Sequence, residues 1–210
     1  MRNKRVIGIT GGIGAGKSVV CRIVSVLGLP VYDCDRRAKG IMLNSDEVRK
    51  ALIETLGEEI TDSENRLNNR IIAQKIFNDS KLLQQVNAVV HKAVINDFVE
   101  WSERQTAEVL FVESAILVDC DLFRCVDEIW YVEAPVEVRV ERVIQRSSMT
   151  ESEVMRRIAL QKSIDEIQNL KAGLEQSGEF FPHLSVIVND NRTALLPQIL
   201  DLLSANHNRQ

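Results

Sequence analysis

The sequence predicts an α/β fold in which a five-stranded, mostly parallel sheet is flanked by helices. Short apolar runs typical of buried strands alternate with segments whose apolar residues recur at helical spacing. Residues 36–108 have helical spacing and no convincing strand, which indicates an inserted helical subdomain. The runs that predict the strands are Val6–Thr10, Leu29–Tyr32, Val109–Val112, Glu128–Val132 and Ser185–Val188.

The composition is that of an ordinary globular protein. The chain has 210 residues, of which 45% are hydrophobic and 27% charged, and its formal net charge is −4. An acidic chain without a long apolar stretch is expected to bind neither nucleic acid nor a membrane. Its four cysteines have no CxxC spacing, so we expect free thiols in a reducing, cytoplasmic compartment. We expect a monomer or a weak homo-oligomer.

The first predicted strand leads into a complete phosphate-binding motif. Residues 11–18 read Gly-Gly-Ile-Gly-Ala-Gly-Lys-Ser, and a predicted helix follows and ends at Gly28. Glycines let backbone N–H groups wrap a polyphosphate closely, and the helix N-terminus adds a partial positive charge. A glycine-rich turn with a solvated lysine is the alternative, but the flanking strand and helix favour nucleotide binding. The residues expected to bind ATP are Gly12, Ile13, Gly14, Ala15, Gly16, Lys17 and Ser18.

Two side chains of this motif and one at the end of the third predicted strand suit phosphoryl transfer. Lys17 can reach the β- and γ-phosphates, and the Ser18 hydroxyl can ligate Mg²⁺. Glu113 ends the third predicted strand, where a carboxylate can reach Mg²⁺ directly or through water. A glutamate also occurs at a strand end by chance, so Glu113 is a secondary candidate for the metal site.

Two aspartates follow the second predicted strand. If the chain stays extended, Asp33 and Asp35 point to the same side at the carboxyl edge of the sheet, where α/β proteins bind ligands. Asp35 is then expected to take the proton of an acceptor hydroxyl, while Asp33 orients it or holds metal-bound water. The structural alternative is that one of them caps a helix that begins near Arg36.

A basic segment follows the fourth predicted strand. A helix predicted over residues 136–146 places Arg142 and Arg146 on one face, which Arg139, three residues before Arg142, can share. These side chains can clamp phosphates or stack on adenine, whereas a solvated face paired with glutamates is the alternative. The sequence Thr-Glu-Ser-Glu at 150–153 predicts a capping box that opens the next helix.

The predicted insert contains its own helix signals. Ser45 precedes two acids and is the expected N-cap of a helix that Gly57 closes, with a surface loop over residues 58–69. His91 lies within a helical apolar pattern, where a histidine can bind substrate but more often packs.

These segments together resemble the dephospho-CoA kinases, which phosphorylate the 3′-hydroxyl of the dephospho-CoA ribose in the last step of coenzyme A synthesis. The resemblance spans almost the whole chain, and the pairing of Thr-Gly-Gly-Ile-Gly with Asp-x-Asp is its most specific part. Its segments are Ile9–Ser18, Tyr32–Asp35 with Ala38, His91, Glu113–Asp119, Arg142–Arg146, Gln161 and Val188–Asn191.

The resemblance implies a P-loop NTPase-like α/β fold with ATP and Mg²⁺ as cofactors. It implies that Asp35 is the base or orients the hydroxyl, and that Lys17 and Arg142 are the cations of the transition state. Further residues that it implies are Arg146 and Asn189 for ATP, and Asp35, His91, Ile116 and Leu117 for dephospho-CoA. The domain organisation that it implies is a core of residues 1–35, 109–138 and 183–206, a CoA-side helical insert of residues 36–108, and a lid of residues 139–175.

Two other functions share part of this pattern. Another P-loop kinase of a small metabolite or a nucleoside monophosphate would have the same loop, Mg²⁺ site and lid arginines but a different acceptor pocket. A regulatory nucleotide switch is a more remote alternative, because the sequence has no Asn-Lys-x-Asp segment to read guanine, and Asn189–Asn191 does not supply one.

Overall fold

The structure is a computed structural model that describes residues 4–77 and 79–205. These residues form two compact units, of which the first contains residues 4–32 and 106–205 and the second contains residues 33–105. Residues 1–3 and 206 of the predicted core lie outside the described ranges. Within these ranges, no helix has the length and apolar character needed to cross a bilayer.

The regular elements alternate as the sequence predicts. The strands are β1 (Arg5–Thr10), β2 (Val31–Asp33), β3 (Val109–Glu113), β4 (Glu128–Glu133) and β5 (His183–Val188). The α-helices are α1 (Lys17–Val26), α2 (Cys34–Asn44), α3 (Asp46–Leu56), α4 (Asn69–Ile76), α5 (Ser80–Arg104), α6 (Val136–Arg146), α7 (Glu151–Ala159), α8 (Ile164–Gln176) and α9 (Leu195–Ala205).

The five strands form one parallel sheet, which confirms the predicted fold class. Their order is β2-β3-β1-β4-β5, so the strand that precedes the phosphate-binding motif lies at the centre. Strand β1 pairs in parallel with β3 and β4, and β4 pairs in parallel with β5. Because parallel strands end at the same edge, the residues after β1 and β3 are brought together at one edge of the sheet.

Apolar residues on one side of β1 form the core of the first unit. Ile7 and Ile9 are two apart on the strand and therefore face the same side, where they pack in a cluster with Val20 and Val24 of α1. Ile199 of α9 belongs to the same buried cluster. Helix α1 is thereby fixed against the sheet, with its first turn directly after the phosphate-binding motif.

A buried carboxylate stabilises the opposite end of the sheet. Glu128 begins β4, and its carboxylate accepts hydrogen bonds from Trp130 Nε1 at 2.9 Å and Ser185 Oγ at 3.0 Å. The Arg5 guanidinium of β1 forms an ion pair with the same carboxylate. A buried charge is tolerated only when it is paired and hydrogen-bonded, and Glu128 is both.

We expect Arg5→Ala to lower the free energy of unfolding by about 1–3 kcal/mol, because Glu128 would keep its buried charge without its ion pair. Chemical denaturation followed by circular dichroism measures the change. Arg49→Ala is the matched control, since Arg49 pairs with the exposed carboxylate of Asp46, and exposed pairs contribute about 0–1 kcal/mol. Equal losses for both variants would contradict the importance of the buried pair.

The long elements of the second unit are the four helices α2 to α5. Its core contains Leu52 of α3, Ile72 of α4 and Val86 of α5, all of which are buried. The ion pair of Arg37 with Asp97 links α2 to α5, with two hydrogen bonds of 2.5 and 2.7 Å.

The predicted ends of helix α3 are confirmed. The Ser45 hydroxyl accepts a hydrogen bond from the Val48 N–H, and Gly57 ends the helix with a φ of 93° that favours glycine. The prediction that residues 58–69 form a loop is wrong at both ends. A 3₁₀ helix covers Glu58–Ile60, and α4 begins at Asn69 behind the N-cap Asn68.

The second strand starts later than predicted, because the preceding residues complete the end of α1 instead. The Leu29 N–H donates to the Val24 carbonyl of α1, and Pro30 has no N–H to give to a sheet. The Pro30 carbonyl still pairs with the sheet, accepting from the Phe111 N–H at 2.9 Å. The strand therefore runs from Val31 to Asp33.

Helices α7 and α8 each begin with a capping box. The predicted box is confirmed at Thr150, whose hydroxyl and N–H both bond Glu153. A second box, which the sequence analysis did not identify, joins Ser163 and Glu166 at the start of α8. The hydrogen bonds from Thr150 and Ser163 lower the pKa of the Glu153 and Glu166 carboxyls, so both boxes are charged at neutral pH.

None of the cysteines forms a disulfide, as their spacing predicts. Cys34 is buried, and the other three are partly buried. Burial raises the pKa of the Cys120 and Cys125 thiols, so both stay protonated and weakly nucleophilic at neutral pH.

Candidate active site

The phosphate-binding motif forms a loop between β1 and α1 that only its glycines allow. Gly14 and Gly16 have φ angles of 77° and 99°, in the left-handed region that side chains with a Cβ rarely adopt. Gly16 is also the N-cap of α1, and no side chain among the described residues caps this helix. The backbone N–H groups at the start of α1 can therefore donate hydrogen bonds to an anion, and the helix dipole strengthens this interaction.

Lys17 lies over this loop. Its Nζ donates to the Gly11 carbonyl at 2.9 Å and to the Gly12 carbonyl at 3.5 Å. Nζ also lies 4.0 Å from Glu113 Oε1, and both side chains are about 15% exposed or less. The ammonium group is thus held beside the loop amides, where it can add its charge to theirs.

Glu113 and Ser18 are the predicted metal ligands. Glu113 is the last residue of β3, and Ser18 is exposed in the first turn of α1. Within the described ranges, no group of three or more His, Cys, Asp and Glu side chains is placed to hold a metal ion. A hard cation such as Mg²⁺ would therefore need phosphate oxygens and water besides these two residues, which is how Mg²⁺ is usually held beside a nucleotide.

Arg142 of α6 contacts the loop from outside. Its guanidinium donates to the carbonyls of Gly14 at 3.3 Å and Ala15 at 3.4 Å. It also donates to the Asn189 carbonyl and side chain, at 3.0 and 3.1 Å, and to the Asn191 side chain. Arg142 therefore joins the phosphate loop to the segment after β5, and its role at the nucleotide stays a prediction.

The two other arginines predicted on the face of Arg142 lie in different surroundings. Arg139 donates from Nε to the Ile13 carbonyl at 2.9 Å, whereas Arg146 is exposed at the last residue of α6. Burial lowers the pKa of the Arg139 guanidinium, while nearby Tyr131 and Glu133 raise it, and an arginine stays charged at neutral pH. A role for Arg146 at ATP stays a prediction.

Asn189 closes the loop from the side of β5. It is buried, and its Nδ2 donates to the Ala15 carbonyl at 2.7 Å. A Cβ added to Gly16 would lie only 2.0 Å from this nitrogen. Gly16 is thus required twice, by its backbone conformation and by the close approach of Asn189.

Gln161, which belongs to the family resemblance but has no predicted role, also contacts the loop. Its Oε1 accepts a hydrogen bond from the Ile13 N–H at 2.6 Å. Gln161 and Arg139 also line a pocket of about 540 Å³, together with Tyr131 and Lys162. The side chain comes from the linker between α7 and α8, far from the loop in sequence, so only a motif search could have marked it.

The expected geometry of the two aspartates is wrong, because the chain does not stay extended after Asp33. Asp33 ends β2 and is the N-cap of α2, where its Oδ1 accepts from the Arg36 N–H at 2.9 Å. Helix α2 begins at Cys34, two residues earlier than the capping alternative placed it. Asp35 is an exposed residue in the first turn of α2. Their chemical roles stay predictions.

The three remaining residues predicted to contact the phosphoryl acceptor lie in different surroundings. His91 is partly buried in the middle of α5, and Ile116 is 39% exposed in the turn after β3. Leu117 is completely buried, and its Cδ2 would lie 2.5 Å from a Cβ added to Gly8. Its side chain packs against β1, so a substrate contact of Leu117 would have to use its backbone.

Comparisons with known proteins agree with this arrangement. The dephospho-CoA kinase family model matches residues 5–173. A dephospho-CoA kinase of Bacteroides fragilis is 38% identical over 199 residues, covering 94% of this chain and 91% of that protein. One from Porphyromonas gingivalis is 34% identical over 197 residues, covering 94% and 92%.

Solved structures agree as well. The crystal structure of TT1252 from Thermus thermophilus has a TM-score of 0.74 at 30% identity, covering 98% of this chain and 97% of that one. Dephospho-CoA kinase from Campylobacter jejuni, at 18% identity and a TM-score of 0.59, shares the fold over 97% and 99% of the two chains. With a family match over most of its length and relatives above 30% identity along nearly all of it, the chain belongs to the dephospho-CoA kinase family.

Proposed function

We propose that this protein transfers the γ-phosphoryl group of ATP to the 3′-hydroxyl of dephospho-CoA, giving CoA and ADP. The observation that carries the proposal is the phosphate loop, with Lys17 and Arg142 hydrogen-bonded to its carbonyls. Membership in the dephospho-CoA kinase family supports the acceptor. We further propose a cytoplasmic protein that acts as a monomer or weak homo-oligomer and binds neither nucleic acid nor membrane.

The loop and its cations act on the phosphates. Backbone amides of the loop glycines, together with the N-terminus of α1, hold the β- and γ-phosphate oxygens. Lys17 and Arg142 neutralise the negative charge that the transferring group spreads over its oxygens, which is the main task of the protein in phosphoryl transfer. Arg146 and Asn189 are proposed to contact the nucleotide on the side of β5.

Mg²⁺ is proposed to bind through the Ser18 hydroxyl and the Glu113 carboxylate. When bound there, it would supply positive charge that offsets the charge developing on the phosphates. Glu113 has a second effect on the protein's own side chains, because its Oε1 lies 4.0 Å from the Lys17 ammonium and attracts it.

Asp35 is proposed to accept the proton of the 3′-hydroxyl as that oxygen attacks the γ-phosphorus. The bond from phosphorus to the ADP oxygen breaks as the new ester bond forms, so the proton is the only atom left for the protein to take. Asp33 would orient the acceptor, and His91, Ile116 and Leu117 would contact it. This assignment rests on the Asp-x-Asp motif of the family resemblance.

Incubation of the purified protein with Mg²⁺, ATP and dephospho-CoA, followed by mass detection of CoA and ADP, tests the proposal. We expect equal amounts of both products. Parallel reactions with a nucleoside monophosphate, gluconate or shikimate test the rival P-loop kinases, and GTP in place of ATP tests the switch. Phosphorylation of one of these acceptors with dephospho-CoA left unchanged would overturn the proposed substrate.

Removal of the metal gives a separate prediction. With EDTA in excess over Mg²⁺, we expect CoA formation to fall by at least about 100-fold, since the metal supplies several kcal/mol of charge stabilisation in the transition state. Restoring Mg²⁺ should restore the rate, which excludes unfolding as the cause. Undiminished turnover in EDTA would contradict a metal role for Ser18 and Glu113.

A further inference from the structure

Both polar groups of one loop residue are bonded to side chains from outside the loop. The Ile13 N–H donates to Gln161 Oε1 at 2.6 Å, and the Ile13 carbonyl accepts from Arg139 Nε at 2.9 Å. Glycines occupy the positions on either side of Ile13, and a glycine-rich segment has a large conformational freedom to lose on ordering. The two contacts remove that freedom at the tip of the loop.

The contact with Gln161 also fixes the peptide group between Gly12 and Ile13. A trans peptide is planar, so an N–H that points outward forces the carbonyl of the preceding residue to point the other way. The Gly12 carbonyl does so and accepts hydrogen bonds from the Ala15 N–H at 3.1 Å and from Lys17 Nζ at 3.5 Å. One planar group therefore connects Gln161 to the ammonium of Lys17.

The linker that carries Gln161 is itself anchored. Its next residue, Lys162, forms an ion pair with Asp119, and the Lys162 carbonyl accepts a hydrogen bond from the Tyr131 hydroxyl at 3.4 Å. The residue after that, Ser163, opens α8 through its capping box. Gln161 thus starts from a backbone that is held on both sides, as a residue that positions another group must be.

We propose that Gln161 is a positioning residue for phosphoryl transfer, which orients the Gly12–Ile13 peptide and through it Lys17. In this role Gln161 acts through the Ile13 N–H, whose hydrogen bond its oxygen accepts, and not through the phosphates themselves. The inference rests on the proposed kinase activity and adds a residue outside the phosphate-binding motif to its machinery.

Gln161→Met tests the proposal, since methionine keeps the length of the side chain and removes the acceptor oxygen. We expect kcat for CoA formation to fall by about 5- to 50-fold, the effect of an unsatisfied amide and a less well oriented peptide. The KM for dephospho-CoA should stay within about twofold, because the proposed role of Gln161 includes no contact with the acceptor. Gln168→Met, the same exchange at an exposed position of α8, should leave kcat unchanged.

Two further variants separate positioning from a general loss of structure. Gln161→Glu keeps an acceptor for the Ile13 N–H and should recover most of the loss. In a Lys17→Ala background, Gln161→Met should add less than about threefold, because residues that act through one another are not additive. If Gln161→Met does not fold, Gln161→Ala takes its place under the same criteria.

The outcomes are distinct. A Gln161→Met enzyme with wild-type kcat, a Gln161→Glu enzyme as slow as Gln161→Met, or full additivity with Lys17→Ala overturns the positioning role while leaving the kinase activity established. A wild-type protein that makes no CoA overturns the proposed function instead.

Discussion

Replacing Lys17 with alanine is expected to lower kcat for CoA formation by about 10²- to 10³-fold, the usual effect of removing one preorganised donor from a charged transition state. The side chain is already bound at the loop carbonyls of Gly11 and Gly12 and lies near Glu113, so little reorganisation is needed when charge develops. Its loss also removes the ammonium group that lies 4.0 Å from Glu113 Oε1. Steady-state kinetics with mass or coupled ADP detection measures the change.

Lys81→Ala is the matched control for Lys17→Ala, because Lys81 is an exposed lysine in the first turn of another helix, α5. It should leave kcat within about twofold, as surface substitutions usually do. Thermal melting of both variants checks that they are folded. A Lys17→Ala protein with undiminished turnover would contradict the assignment of residues 11–18 as the phosphate loop.

Asp35→Asn is expected to lower kcat by about 10²- to 10⁴-fold, the range of a general base, while ATP affinity changes little. The asparagine has nearly the same shape, so it removes the proton acceptor and leaves the first turn of α2 otherwise unchanged. Single-turnover kinetics gives the rate of transfer, and calorimetry with a non-transferable ATP analogue gives the affinity. Comparable losses in both would argue against a base.

Two variants sharpen the test of Asp35. Glu47→Gln is the control, because Glu47 is an exposed acid at the second position of α3, as Asp35 is of α2. Both substitutions lose a favourable interaction with a helix dipole, but Glu47→Gln should leave kcat unchanged. Asp33→Asn keeps the oxygen that caps α2, since asparagine caps as well as aspartate. If Asp33→Asn slows transfer more than Asp35→Asn, the base has been assigned to the wrong aspartate.

The sheet and several helix ends could be predicted from sequence because their signals are local. Buried parallel strands are apolar runs, and Ser45, Gly57 and Thr150 determine helix ends through bonds to neighbours a few residues away. The phosphate loop was predictable for the same reason. Its chemistry is contained in consecutive residues with glycines at the required positions.

The conformation after β2 could not be predicted by the same reasoning. An Asp-x-Asp pair is compatible with an extended segment and equally with an N-cap followed by an acid in the first helical turn. In the structure, the Arg36 N–H donates to Asp33, so the helix forms. The contacts of Gln161 and Arg139 were also hidden, because each reaches Ile13 from more than a hundred residues away. Only tertiary packing brings such side chains to the loop.

Side chains from outside the phosphate loop bond its carbonyls, and this affects whether the loop can be moved to another protein. Arg142 and Asn189 bond the Ala15 carbonyl, and the planar peptide then turns the Gly16 N–H the opposite way, which leaves it to donate to a bound phosphate. Residues outside the motif thus determine how its amides are aimed. If residues 11–18 were transplanted alone into a foreign strand–helix junction, they would carry the glycines and the lysine but not this orientation. Such a graft should bind phosphate poorly until counterparts of Arg142 and Asn189 are built around it.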